Sequence, residues 1–181
     1  MTPYKAYKYC PRCCGNLKHT TNNLIQCQTC GYHLFINAAP CVGIIIENTE
    51  DRVMLAKRAI APLKGTWDIP GGFMEPGETA YLNAIREAKE ELNVRIRPGM
   101  IIGTWPATYL YKEVDLPILG ITICAKIIEG TITAQDDVAQ IQYFSEEELQ
   151  DIHVMNEGVK SAYTEYFKLR KRVPLKTLLN E

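Results

Sequence analysis

Three glutamates in the stretch "AIREAKEELNV", Glu87, Glu90 and Glu91, have a spacing that could do chemistry. On an α-helix, residues three and four apart are surface neighbours, so these carboxylates are expected to converge within a few ångströms of one another. Like charges so placed repel, by about a few tenths of a kcal/mol per pair. A hard divalent cation turns that liability into a site, because Mg2+ is held by a few carboxylates and fills its remaining positions with water and phosphate oxygens. The competing reading is an ordinary solvated helix face, which is how most charge runs read.

The cysteines form a second constellation. Cys10-Pro-Arg-Cys13 and Cys27-Gln-Thr-Cys30 are two CxxC pairs with thirteen residues between them, a spacing that argues for Zn2+. Each short turn presents two thiolates to one ion and leaves backbone N–H groups free to donate to the sulfurs. A thioredoxin-like redox pair would need a βαβ context that "TNNLIQCQTCGYHLF" does not supply. With four protein ligands the zinc is closed to substrate, so its role is structural. Cys14 sits beside Cys13 and could in principle replace it, though the spacing favours Cys13. Cys41 and Cys124 lie in apolar segments and read as small buried hydrophobes.

The elements that must position these groups follow from pattern. A helix is expected over Thr79 to Leu92: Pro76-Gly77 precedes it, Thr79 can cap it, Glu78 suits its N-terminal dipole, and Asn93 follows where a left-handed residue is wanted. Tyr81, Ala84, Ile85, Ala88 and Leu92 share one face, expected to pack on a sheet, with the three glutamates opposite. "CVGIIIE" and "DRVMLAKRA" read as a hairpin turning at Asn48 to Asp51, and "KGTWDIPGG" as a short strand running into a Gly-Gly loop. "MIIGTWPATYLYK", "LGITICAKIIEG" and "IQYFS" read as further strands. Ser145 opens a helix at "SEEELQDI", and a last helix runs from Asn156 to Arg172, before Pro174. The class is α/β with a mixed sheet, preceded by a four-cysteine ribbon.

The chain has 181 residues and a formal net charge of −1. Near-balance of charge gives no bulk attraction to nucleic acid or to an anionic membrane, so a nucleic-acid partner is not expected. "MTPYKAYKYC" has no signal-peptide core, and the longest apolar run, Pro117 to Ala125, is far short of the roughly 18 residues of a span. The expectation is a cytoplasmic protein with no membrane contact.

The glutamates have a fixed context: a Gly-Gly loop, Glu78, then Arg86-Glu87 and Glu90-Glu91. This resembles the signature of the Nudix hydrolase family, G-x5-E-x7-R-E-U-x-E-E-x-G-U, matched by Gly72, Glu78, Arg86, Glu87, Ala88, Glu90, Glu91 and Val94. Asn93 stands where the family has Gly, a tolerable exchange at a left-handed cap. The resemblance implies an α/β/α sandwich around a mixed sheet, with a ribbon over residues 1–36 and the hydrolase domain over 37–181. It implies that Glu87, Glu90 and Glu91 hold catalytic Mg2+ or Mn2+, joined by the Gly72 carbonyl, while Glu78 and Arg86 pair to tie loop to helix. The general base stays open among Glu90, Glu91, Asp136 and Asp137, the last two in "ITAQDDVAQ" with Gln140 close by.

The ribbon resembles the zinc-ribbon branch of the family, which includes NADH pyrophosphatases and enzymes acting on ADP-ribose or FAD. The NADH enzymes carry SQPWPFPxS, of which "GTWPATYLY" retains only Trp105-Pro106, so NADH and NAD-capped RNA are demoted. The expected activity is hydrolysis of the diphosphate of a nucleoside diphosphate linked to another moiety, ADP-ribose or a dinucleotide such as FAD or NADH. Phe73, Trp105, Tyr109 and Tyr111 are candidate stacking platforms for an adenine, with core or sheet packing as their other reading. Lys57 and Arg58 could meet the phosphates or simply be exposed strand-end cations. A ligand sensor or nucleic-acid-binding adaptor is the alternative of another class, but all three carboxylates survive, and Lys5, Lys8, Arg12 and Lys18 are few for a phosphate footprint. A housecleaning hydrolase of nucleoside triphosphates is a further alternative. A homodimer, frequent among relatives, is compatible with the resemblance.

Overall fold

The computed structural model describes residues 2–21 and 23–181. The chain divides into two compact units, residues 1–39 with 108–118, and residues 40–107 with 119–181. In the first lie a helical turn α1 (Pro3–Ala6) and strands β1 (Leu17–Thr21), β2 (Leu24–Cys27) and β3 (His33–Phe35), which form one antiparallel sheet in that order.

The main body begins with β4 (Ala39–Ile45) and β5 (Val53–Arg58), which meet only beside their turn, where Glu47 bridges Val53, and then run into different sheets instead of pairing as the expected hairpin. The turn is fixed by Asn48, whose Oδ1 accepts the N–H groups of Glu50 and Arg52, both at 3.0 Å. The short strands β6 (Trp67–Asp68) and β7 (Gly71–Phe73) follow, then α2 (Ala80–Leu92). Two long strands, β8 (Arg95–Tyr111) and β9 (Val114–Glu129), precede β10 (Val138–Phe144), α3 (Glu148–Asp151), α4 (Glu157–Arg170) and α5 (Leu175–Leu178). The strands pair in the orders β7-β4-β9-β8 and β10-β5-β6. The β4–β7, β5–β6 and β5–β10 pairs are antiparallel, while Trp67 bridges Val154 in the parallel sense.

Alternation along the strands builds two cores. Successive strand residues point to opposite faces. Ile44 and Ile46 join Met54, Ile123 and Ala125 beneath Ala84, Ala88 and Leu92 of α2. Ile45, Val53, Leu55 and Cys124 turn the other way, against Ala162, Tyr163, Tyr166 and Phe167 of α4. Each fully buried side chain of this size contributes about 1.5–3 kcal/mol, so neither face of the strand layer can be left bare, and a helix on each side gives the α/β/α sandwich. Glu47 pins α4 in place: its carboxylate, 2% exposed, accepts Arg170 Nε at 2.7 Å and Nη2 at 2.8 Å, together with the Tyr166 hydroxyl.

The caps of α2 form as expected. Thr79 Oγ1 accepts the Leu82 N–H at 3.2 Å, and Asn93 ends α2 in the left-handed region with φ 56°. Ser145 and Glu148 exchange bonds, Oγ accepting from Glu148 N and Oε2 from Ser145 N, a capping box ahead of α3. Asn156 Oδ1 accepts from Val159 N at 3.1 Å and starts α4. That helix stops at Arg170 rather than Arg172, and Pro174 opens α5, which the pattern does not announce.

The buried stripe of α2 differs from the apolar one expected. Tyr81 and Ile85 are 43% and 39% exposed, and Asn83, Glu87 and Glu91 turn inward instead. These three recur every fourth residue beside Ala84, Ala88 and Leu92, and the helix packs against β7. Gly71 and Gly72 there offer backbone donors and no side chains, which makes room for carboxylates and rotates the helix towards them.

Candidate active site

Two carboxylates of α2 meet the backbone of β7. Glu91 Oε2 accepts the Gly71 N–H at 2.8 Å, and a Cβ on Gly72 would stand 2.5 Å from Glu87 Oε1. Both glutamates are 8% exposed. Burial pushes the Glu91 carboxyl up to about 9, against the Gly71 amide that lowers it, and burial also raises Glu87 despite its contact with Arg86.

Arg86 organises the other side of the site. Its Nε donates to Glu78 Oε1 at 2.8 Å, Nη2 to Glu78 Oε2 and the Phe73 carbonyl at 3.1 Å each, and Nη1 to Glu87 Oε1 at 2.7 Å and Glu90 Oε2 at 2.9 Å. Hydrogen bonds from Arg86, with those from the Glu75 N–H and Asn83, hold Glu78 down at about 2. Asn83 Nδ2 bridges Glu78 Oε2 and the Phe73 carbonyl, at 3.0 and 2.9 Å. The loop between β7 and α2 is thereby tied to the helix by one guanidinium and one amide.

The three glutamates do not gather as their helical spacing suggests. Among the described residues, the one group of three or more His, Cys, Asp or Glu side chains whose ligand atoms all lie within 4.8 Å of one another is the four cysteines. Arg86 Nη1 bridges Glu87 and Glu90 while the Gly71 N–H takes Glu91, so the three carboxylates are divided between two partners. A hard divalent cation nevertheless fits the donor set. Glu87 and Glu91 offer buried carboxylate oxygens beside a main chain without side chains, and Glu90, its side chain 49% exposed, accepts from Arg86.

Next to Glu91 lies an acidic group that the sequence reading does not single out. Asp68, at the end of β6, shares a cleft with Arg58, Gly71, Glu91 and Asp137. Arg58 stands between two of these acids, 4.0 Å from Asp68 and 3.8 Å from Asp137, and donates Nε to the Pro62 carbonyl at 3.1 Å. Burial raises Asp68 to about 7, the Ile69 amide and Arg58 opposing it. The loop carrying Asp137 is anchored to the end of α2, Gln135 N donating to the Glu91 carbonyl at 2.9 Å and Thr133 N to that of Leu92 at 3.0 Å. The signal for Asp68 was an acid at a strand end just ahead of a Gly-Gly turn. For Asn83 it was a polar residue on the 83-87-91 stripe.

The remaining candidates separate. Asp136 is exposed with φ 52° and lies outside the cleft that Asp137 enters. Lys57 reaches the cleft at its rim, with Nζ 5.5 Å from the centre of the Trp67 ring. Trp105 is occupied internally, its Nε1 donating to Thr122 Oγ1 at 3.0 Å while the ring packs on the α4 core. Tyr109 and Tyr111 stack on each other, 6.5 Å apart and 18° from parallel, and belong to the first unit. Phe73, on β7, is 42% exposed.

In the first unit, Cys10, Cys13, Cys27 and Cys30 form the four-cysteine cluster. Cys10 and Cys30 Sγ are 3.8 Å apart, Cys13 and Cys27 Sγ 3.5 Å. Four sulfurs about 2.3 Å from one ion would define tetrahedron edges of about 3.8 Å, so the cluster fits zinc. The two turns match: Cys14 N donates to the Cys10 carbonyl and Gly31 N to that of Cys27. Cys14, φ 59°, holds the left-handed position that Gly31, φ 71°, holds in the other turn. Its place in the turn is conformational, and its sulfur is outside the cluster.

The two glycines of β7 carry distinct burdens. Gly71 has φ 142°, and a Cβ there would sit 2.0 Å from the Val42 carbonyl oxygen. Gly71→Ala is therefore expected to cost about 3 kcal/mol of stability, read as a lowered melting temperature. Gly72→Ala meets only the end of Glu87 and is expected to keep the melt while lowering kcat by about ten- to a hundredfold. Equal losses of stability in both would refute this division.

The NUDIX domain family matches residues 38–166. The ADP-ribose pyrophosphatase of Methanocaldococcus jannaschii is 28% identical over 132 residues, covering 73% of this chain and 76% of that one. The NAD-capped RNA hydrolase NudC of Photorhabdus laumondii is 28% identical over 104 residues, which cover 57% of this chain and 40% of the relative. The crystal structure of a NUDIX hydrolase from Nitrosomonas europaea superposes with a TM-score of 0.70 at 27% identity, covering 91% of this chain and 93% of that one.

Proposed function

Because the chain belongs to the Nudix family of pyrophosphohydrolases, we propose that it hydrolyses the diphosphate of a nucleoside diphosphate linked to another moiety, with ADP-ribose as first substrate and FAD or NADH next. The observation that carries this reading is the meeting of two buried carboxylates, Glu87 and Glu91, with the Gly71-Gly72 backbone. Similarity to the ADP-ribose pyrophosphatase over three quarters of both chains favours ADP-ribose.

Glu87, Glu90 and Glu91, with the Gly72 carbonyl, would hold Mg2+ or Mn2+. When bound, the cation neutralises charge on the phosphoryl oxygens and lowers the pKa of water beside it. The chain's own residues do the rest. Arg86 and Glu78 keep the β7–α2 loop in register, and Glu90, which accepts from Arg86, would be the most accessible of the three carboxylates to a cation. Asp137 is the stronger candidate for general base, since its carboxylate is in the Glu91 cleft and Asp136 is not. Arg58 lines the same cleft, 3.8 Å from Asp137, and with Lys57 is the candidate to meet the phosphates. In the reaction, water oxygen bonds to one phosphorus, the bridging P–O bond breaks, and the leaving phosphate keeps the bonding pair; ADP-ribose gives AMP and ribose 5-phosphate.

Residues 1–36 form the ribbon that holds structural Zn2+ through Cys10, Cys13, Cys27 and Cys30, and residues 37–181 the hydrolase domain. No helix among the described residues is long and apolar enough to cross a membrane, and a cytoplasmic location suits a nucleotide substrate. The test is a product screen of the purified protein with Mg2+ against ADP-ribose, NADH, FAD, diadenosine polyphosphates and nucleoside triphosphates. AMP and ribose 5-phosphate from ADP-ribose is the expected result. Tight binding of a nucleotide without turnover of any would replace the hydrolase with a sensor.

A further inference from the structure

We propose that Asn83 is a positioning residue for the divalent cation: its amide holds the β7–α2 loop independently of Arg86, and so sets how tightly the Gly72 carbonyl and the glutamates take the ion. This rests on the hydrolase function proposed for the same site. Asn83 is fully buried, an uncommon setting for an amide. Its Nδ2 donates to the Phe73 carbonyl at 2.9 Å and to Glu78 Oε2 at 3.0 Å. Both partners are acceptors only, which fixes the orientation of the amide and turns Oδ1 to a side where it has no partner among the described residues. The two donated bonds are therefore what the side chain adds, at a position where alanine or leucine would suit a helix interior better.

Arg86 holds the same two acceptors, its Nη2 lying 3.1 Å from each. The two holds respond differently to charge. Arg86 is shared, because its Nη1 donates to Glu87 and Glu90, two of the carboxylates that would bind the cation. A guanidinium bonded to oxygens that also bind a divalent cation is repelled by it, so the grip of Arg86 on the loop weakens as the site fills. Asn83 is neutral and both its bonds go to the loop, so its hold persists. The acceptors it holds are next to the metal ligand. Phe73 follows Gly72 on β7, where Cys41 and Val42 of β4 stand opposite the two, and the Glu75 N–H closes the loop on Glu78 Oε2 at 2.8 Å. An amide that fixes the Phe73 carbonyl and Glu78 therefore fixes the chain on either side of the turn that presents the Gly72 carbonyl.

The experiment compares Asn83→Ala and Asn83→Leu with wild type in the full chain, the first leaving space and the second filling it. Mn2+ binding without nucleotide, read by electron paramagnetic resonance, is expected to weaken about ten- to a hundredfold, the usual effect of removing a partner that orients metal ligands. The Mn2+ concentration for half-maximal ADP-ribose hydrolysis should rise by the same factor. Hydrogen exchange of the Glu75 amide is the second readout: Mg2+ should leave it slow in wild type and accelerate it in the variants, where Arg86 alone holds the loop. A residue that only fills space would show neither effect in Asn83→Leu. Equal Mn2+ affinity in wild type and a folded variant would overturn the proposal, as would Glu75 exchange in the variants that Mg2+ does not accelerate. Melting temperatures that collapse in both variants would assign Asn83 to the core and overturn it too. Wild type that binds Mn2+ and hydrolyses no nucleotide would overturn the hydrolase function instead, and the Mn2+ affinities would still decide for or against Asn83. Wild type that binds no Mn2+ would overturn both.

Discussion

Glu91→Gln is expected to lower kcat by at least about a thousandfold, the scale on which one preorganised charge-stabilising group matters, without lowering the melting temperature. Gln keeps the shape of Glu and an oxygen to accept the Gly71 N–H, so the β7–α2 contact survives. What it loses is the charge. That charge opposes folding when nothing neutralises it, since burial lifts the carboxyl to about 9. A folded value above the unfolded one means that the neutral acid stabilises the fold below the ordinary carboxylate range. This stability is lost as pH rises towards about 9. Asp68, raised to about 7 by burial, adds a loss of the same sign over a lower window. Chelated wild type should therefore melt lower at pH 9 than at pH 5, Mg2+ should offset the fall, and Glu91→Gln should flatten it. Kinetics and melts with and without Mg2+ check the set; a variant retaining activity within about tenfold of wild type would deprive the cluster of its role.

What the sequence could announce depended on how local the cause was. Thr79 and Asn93 act on backbone groups a few residues away, so their roles as caps were legible. The fold class was legible too, because alternation in "CVGIII" and "VML" and the period of "AYLNAIREAKEEL" are properties of single segments. The inward stripe of α2 was not. Tyr81 and Ile85 made an apolar face on the helical wheel as good as any other, and only Gly71 and Gly72, which lie across the packing interface, decide that Glu87 and Glu91 turn inward. For the same reason spacing alone overstated the convergence of the glutamates. Arg86, on the same helix, holds Glu87 and Glu90, while Gly71 across the interface takes Glu91. Trp105 looked like a stacking platform because its partner Thr122 is seventeen residues distant, reached only through the pairing of β8 with β9. Asp68 and Arg58 come together from separate strands with Asp137 from a loop, a grouping that only the register of β5 with β6 and β10 creates. The resemblance carried the glutamates and Gly72, where the motif is contiguous, and gave no guidance beyond it.

Cys10→Ser is expected to abolish zinc binding and with it the order of the ribbon, while Cys14→Gly leaves both intact. The first expectation rests on the size of the term. Structural zinc supplies an apparent 10–16 kcal/mol at about neutral pH, and the described core of the ribbon sheet is little more than Ile25 and the buried sulfurs of Cys10 and Cys27. Such a core is too small to hold three short strands unaided. A serine hydroxyl does not replace a thiolate on zinc, so one lost ligand opens the site. The hydrogen bonds that depend on the turns, Cys10 N to the Gly15 carbonyl and Cys27 N to that of Tyr32, should exchange freely once the metal is gone. Amides of β4, β5 and β9 should stay protected, because their two cores are built from residues of the other unit. The second expectation rests on backbone geometry. Cys14 pays the strain of φ 59° that glycine does not, so Cys14→Gly should be neutral or stabilising by up to about 1 kcal/mol. Metal analysis and hydrogen exchange of the two variants side by side decide the matter. Zinc retained in Cys10→Ser, or lost in Cys14→Gly, would mean that Cys14 and not the four-cysteine set supplies a ligand.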